Sequence, residues 1–75
     1  MQKTKIYEVR EMANKVKYYR ENAKLTQMEL AEKSGVSRNT ISLLETQEDV
    51  NVTYDIMTKI AKALEAKVPA IFFEE

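Results

Sequence analysis

Apolar side chains recur at Ile6, Val9, Met12, Ala13, Val16 and Tyr19 in steps of three and four, with no Gly or Pro between them. That spacing predicts one amphipathic helix over roughly residues 5–22, its apolar stripe turned toward a core. Thr26, followed three residues later by Glu29, has the pattern of a reciprocal capping box, so a second helix is expected to open there with Leu30 and Ala31 on its buried side. Gly35, the one glycine of the chain, ends that helix, because a residue without a Cβ takes the left-handed backbone that a tight reversal needs. Ser37 is placed to cap a third helix. In it Ile41, Leu44 and Glu45 fall on one face, and Arg38, Asn39, Ser42, Leu43 and Thr46 on the other. Residues 46–52 show no period and are expected to form the longest loop. Thr53 can cap a fourth helix, with Asp55 in its first turn and Met57, Ile60, Ala61 and Leu64 as its apolar stripe. Pro69 suits the first turn of a short last helix reaching about Phe73. No stretch reads as a strand, so the expected fold class is all-α, a compact bundle of about five helices.

Length and composition narrow what such a bundle does. Seventy-five residues suit a single domain that buries only about 60–65% of its unfolded surface, which favours a second copy as a source of added core. Residues 1–15 are taken as an N-terminal extension of the first helix, and residues 66–75 as a segment at a dimer interface with Ile71, Phe72 and Phe73 as candidates; the alternative is closure of the chain's own core, expected of Phe72 while Ile71 and Phe73 meet the partner. The chain has no cysteine and no histidine, which removes disulfides, the commonest zinc ligands, thiol nucleophiles and the usual general base. An enzyme, a metal site, a cofactor and a small-molecule ligand are therefore not expected. Neither is a membrane span, since no apolar run approaches about 18 residues. The start Met-Gln-Lys-Thr-Lys lacks the apolar core of a signal peptide, so a cytoplasmic location is expected.

The formal net charge is zero, yet the charges are segregated. Residues 1–40 carry nine basic against five acidic side chains, and residues 41–75 carry three against seven. Such asymmetry fits a face turned toward a polyanion, or an ordinary solvated surface.

With its elements placed, the chain resembles the Cro and phage-repressor, or XRE-type, family of helix-turn-helix DNA-binding domains. The resemblance runs from about Val16 to Phe72. It rests on Gln27 at the head of one helix, small Ala31 at the helix crossing, Gly35 in the turn, apolar Val36, Ile41 and Leu44 beneath the next helix, and the Lys59-Ile-Ala-Lys-Ala-Leu64 run. It implies a lambda-repressor-like bundle that binds double-stranded DNA as a homodimer on a palindromic operator, as a repressor or autoregulator. Arg38, Asn39, Ser42 and Leu43 would then read bases. Arg38 suits the two acceptors of guanine, or a phosphate, and Asn39 suits adenine. Leu43 suits a thymine methyl, or packing at the helix edge. Gln27, Ser37, Thr40 and Thr46 would hold phosphates and fix register. Arg20 and Glu45 match a structural ion pair of the family.

Two departures stand out. Family members commonly continue Asn-Gly with basic residues after Glu45, where this chain has Thr46, Gln47, Glu48 and Asp49, and Glu65 stands where a helix-ending glycine is common. Glu48 and Asp49, close to phosphates, would weaken non-specific binding, and Glu65 puts the geometry of its turn in question. The acidic second half also suits a different class of function, a protein-interaction adaptor or antitoxin-type partner that keeps the fold without the groove contacts.

Overall fold

Capping side chains set where the helices begin. The computed structural model describes residues 6–10, 15–46 and 49–73, and contains α1 (Val16–Asn22), α2 (Gln27–Ser34), α3 (Arg38–Thr46), α4 (Tyr54–Ala63) and α5 (Val68–Phe72). The expected bundle of five helices is present. At the head of α2 the capping box closes in both directions: the Glu29 N–H donates to Thr26 Oγ1 at 3.0 Å, and the Thr26 N–H donates to Glu29 Oε1 at 2.8 Å. Thr53 Oγ1 accepts from the Ile56 N–H at 3.1 Å and opens α4. Gly35 ends α2 at φ 81°, in the left-handed region.

The structure corrects the first element. In place of a helix from about residue 5, Ile6–Arg10 forms a strand, β1, and α1 spans Val16–Asn22, while Met12 and Ala13 of the expected stripe lie outside the described residues. β1 pairs antiparallel with β2 (Asp49–Thr53), which occupies much of the segment expected to be loop. The register puts Tyr7 opposite Val52 and Val9 opposite Val50, with Glu8 opposite Asn51 and Arg10 opposite Asp49. Both strands alternate apolar with polar residues, Tyr-Glu-Val-Arg in one and Val-Asn-Val-Thr in the other, and β-branched and aromatic residues favour the pleated form. The helix-like spacing that runs through the same residues is overridden by pairing with a distant segment.

One core joins the five helices. Val16, Leu30, Ile41, Leu44, Met57, Ile60, Ile71 and Phe72 are essentially inaccessible, and Val52 brings β2 onto the same cluster. Phe72 closes this core, the role the sequence also offered it, whereas Ile71, expected to meet a partner chain, is buried in the same cluster. Those side chains close the bundle from within one chain, because α5 packs on both α1 and α4, and the Lys15 N–H donates to the Ile71 carbonyl at 2.8 Å. Of the three, Phe73 alone is exposed, at 38%. No helix among the described residues is long and apolar enough to cross a membrane.

Two further helix ends use left-handed residues that are not glycine. After α4, Glu65 has φ 56°; its N–H donates to the Lys62 carbonyl at 3.1 Å and the Ala66 N–H to the Ala61 carbonyl at 2.9 Å, the paired bonds of a Schellman motif. Lys24, at φ 61°, repeats the pattern after α1, through Lys24 N–H to the Glu21 carbonyl at 3.0 Å and Leu25 N–H to the Arg20 carbonyl at 3.1 Å. The turn at Glu65 therefore keeps the geometry that glycine usually supplies.

Candidate nucleic-acid interface

α3 divides into a packing face and a free face. Ile41 and Leu44 are 0% and 1% exposed and Val36 plugs the turn beneath them, so rotation of the helix about its axis would pull apolar side chains into water. The other face carries Arg38 and Asn39, both exposed, Ser42, half-buried, and Leu43, 39% exposed. These are the four residues expected to read bases, and the fold gathers them on one side of the helix. Leu43 is not packed away at the helix edge.

The head of α3 is held by hydroxyl chemistry. Ser37 Oγ accepts from the Thr40 N–H at 3.1 Å and is hydrogen-bonded to Thr40 Oγ1 at 2.9 Å. Either hydroxyl can donate in that pair, so Ser37 and Thr40 are engaged with each other at the head of α3.

The tail of α3 is held by charge. Glu45, its side chain 3% exposed, accepts a two-toothed grip from Arg20: Nε to Oε2 at 2.7 Å and Nη2 to Oε1 at 3.0 Å. Arg20 Nη1 also donates to the Leu25 carbonyl at 2.7 Å. The Glu45 hydrogen bond raises the guanidinium pKa above its ordinary value and burial opposes it, so Arg20 stays charged throughout the working pH range. Gln27 joins the same carboxylate, its Nε2 donating to Glu45 Oε1 at 3.0 Å. One carboxylate thus ties α1, α2 and α3 together.

For the expected phosphate contacts the geometry is selective. Gln27 spends one amide proton on Glu45, a bond between residues 18 apart that no local pattern announces. Thr46 turns its hydroxyl back to the Ser42 carbonyl at 2.8 Å, so that proton is already engaged within α3. The Ser37 and Thr40 hydroxyls stand together at the head of α3, bonded to each other.

Comparison with known proteins agrees with this arrangement. A family model described as helix-turn-helix matches residues 16–69, which takes in α1 through α4 and reaches into α5 but leaves out β1. An uncharacterized HTH-type transcriptional regulator of Methanocaldococcus jannaschii is 44% identical over 64 residues, covering 85% of this chain and 96% of its own length.

Proposed function

Since the chain belongs to the XRE-type helix-turn-helix family of DNA-binding transcriptional regulators, we propose that it reads a palindromic operator as a homodimer and acts there as a repressor or autoregulator. The observation that carries this reading is the free face of α3, where Arg38, Asn39 and Leu43 stand exposed while Ile41 and Leu44 lock the opposite face into the core. A B-form major groove admits a helix, and the N-terminal residues of a reading helix reach base edges first. Arg38 pairs with guanine O6 and N7, Asn39 with adenine N6 and N7, and Leu43 covers a thymine methyl. Thr40 and the remaining amide proton of Gln27 hold phosphates and fix register. Two protomers place their reading helices in successive turns of one groove, about 34–36 Å apart. Phe73, exposed beside the buried end of α5, is the member of the apolar trio that suits a partner chain.

The test is selection of bound fragments from random duplex DNA, followed by binding measured across salt. A palindromic consensus should emerge, with affinity falling linearly in log salt. Arg38→Ala and Asn39→Ala should each relax preference at one base pair by about 1–3 kcal/mol. A chain that selects no sequence and shows no salt slope is an adaptor that kept the fold, and the proposal fails.

A further inference from the structure

Lys33 ends α2, whereas Lys59 and Lys62 lie far along the chain on α4. Packing of α2 on α4 brings the three around one open depression of about 370 Å³, lined also by Ser34 and Ala63. Every polar side chain lining it is a donor. The lysines present ammonium groups, and Ser34 Oγ already accepts from the Val36 N–H at 3.1 Å, which leaves its own proton free to donate. Among the described residues one acid touches the group: Asp55 Oδ2 lies 3.2 Å from Lys59 Nζ, with both side chains at least half exposed. Water screens such a pair, so Lys59 leaves it at little cost. The side chains so gathered have the chemistry to hold an anion.

Its place in the fold says which anion. Ser34 is followed by the Gly35 turn and then by Ser37, which caps α3, so the depression sits behind the turn that leads into the reading face. With the head of α3 seated in the groove, the adjoining end of α2 would be carried toward the backbone that flanks the half-site. In a chain of zero net charge, attraction to a duplex has to come from local concentrations of positive charge, and this is one drawn from both halves of the sequence. We propose that Lys33, Lys59, Lys62 and Ser34 form a phosphodiester-binding site for the duplex backbone flanking the half-site read by α3. The proposal rests on the operator reading above and adds contacts beyond the operator's edge.

Binding of the intact chain is measured between 50 and 200 mM salt on two duplexes, one ending at the selected site and one extended by about ten base pairs at each end. Three added phosphate contacts steepen the log–log slope by about 2.7 per protomer. On the longer duplex the wild type should lose about 40-fold more affinity per protomer over that range than the Lys33→Gln/Lys59→Gln/Lys62→Gln variant, and on the shorter one the two should match. Single Lys→Gln variants should each remove about 0.9 from the slope, which keeps the test alive should the triple variant fold poorly. Equal slopes on the longer duplex overturn the site, and an equal deficit on both duplexes overturns it in favour of diffuse attraction. Wild type without preference for the selected site, but with a flank-dependent slope, keeps the lysine site and overturns the operator reading. Inorganic phosphate is titrated into the free chain at constant ionic strength as a last arm. Shifts of the three lysines in NMR spectra without a flank-dependent slope would assign the depression to a free anion and overturn the duplex proposal.

Discussion

At the scale of single residues, Glu45 holds together what α3 needs in order to read. Its carboxylate is nearly inaccessible and satisfied by Arg20 and Gln27, so the two partners differ in what their loss leaves behind. Arg20→Met strands a buried anion and the Leu25 carbonyl together, and should cost about 3–5 kcal/mol in urea unfolding. Gln27→Ala leaves the Arg20 grip intact and should cost only about 1–2 kcal/mol. The double variant Arg20→Met/Glu45→Leu should recover most of the loss of Arg20→Met alone, because a buried ion pair contributes little net stability against an apolar replacement. A double variant no more stable than the single one would show that the pair holds the tail of α3 in place as well as satisfying its own charges.

At the scale of elements, helix ends decide both stability and what could be read in advance. Lys24 and Glu65 are exposed and left-handed, so glycine at either position removes a backbone penalty and sacrifices no packing. Lys24→Gly and Glu65→Gly should each stabilise by about 1 kcal/mol, raising Tm by roughly 4–8 °C. Gly35→Ala should lower stability by about 1–2 kcal/mol through backbone alone, since a Cβ there meets nothing within 4 Å. Differential scanning calorimetry of the three variants checks signs and sizes together; a neutral Glu65→Gly would mean that the side chain makes an interaction outweighing its strain. The caps at Thr26, Ser37 and Thr53 were legible because their bonds close within three residues. β1 was not, because the same residues satisfy a helical and an alternating period, and the deciding partner lies at Asp49–Thr53. Ile71 is covered from within the chain and not by a partner for a related reason. A short apolar run says that it will be covered, and only the packing of α5 on α1 and α4 says by what. The face of α3 was legible because Ile41 and Leu44 fix its phase within one element. Gln27 on Glu45, and Lys33 beside Lys59 and Lys62, depend on contacts between elements and leave no local trace.

At the scale of the whole molecule, charge sets how tightly any duplex is held, and the reading face sets which one. The two depend on salt differently. Phosphate contacts act on every sequence alike and weaken as counterions are added, whereas base contacts change the ratio between sequences. Glu48 and Asp49 follow the last residue of α3 by two and three positions, and replacing both by amides moves the formal net charge from zero to plus two. Glu48→Gln/Asp49→Asn should therefore tighten binding to unrelated duplex by roughly tenfold at 50 mM salt, with the gain shrinking as the Debye length falls below about 8 Å. Operator affinity should rise by the same factor, so the specificity ratio stays where Arg38, Asn39 and Leu43 set it. Titrating operator and scrambled duplexes side by side measures both quantities. A ratio that falls while non-specific affinity rises would mean that these acids discriminate against wrong sequences by repelling a backbone that is not correctly seated. Specificity would then belong to the field of the molecule as well as to its reading helix.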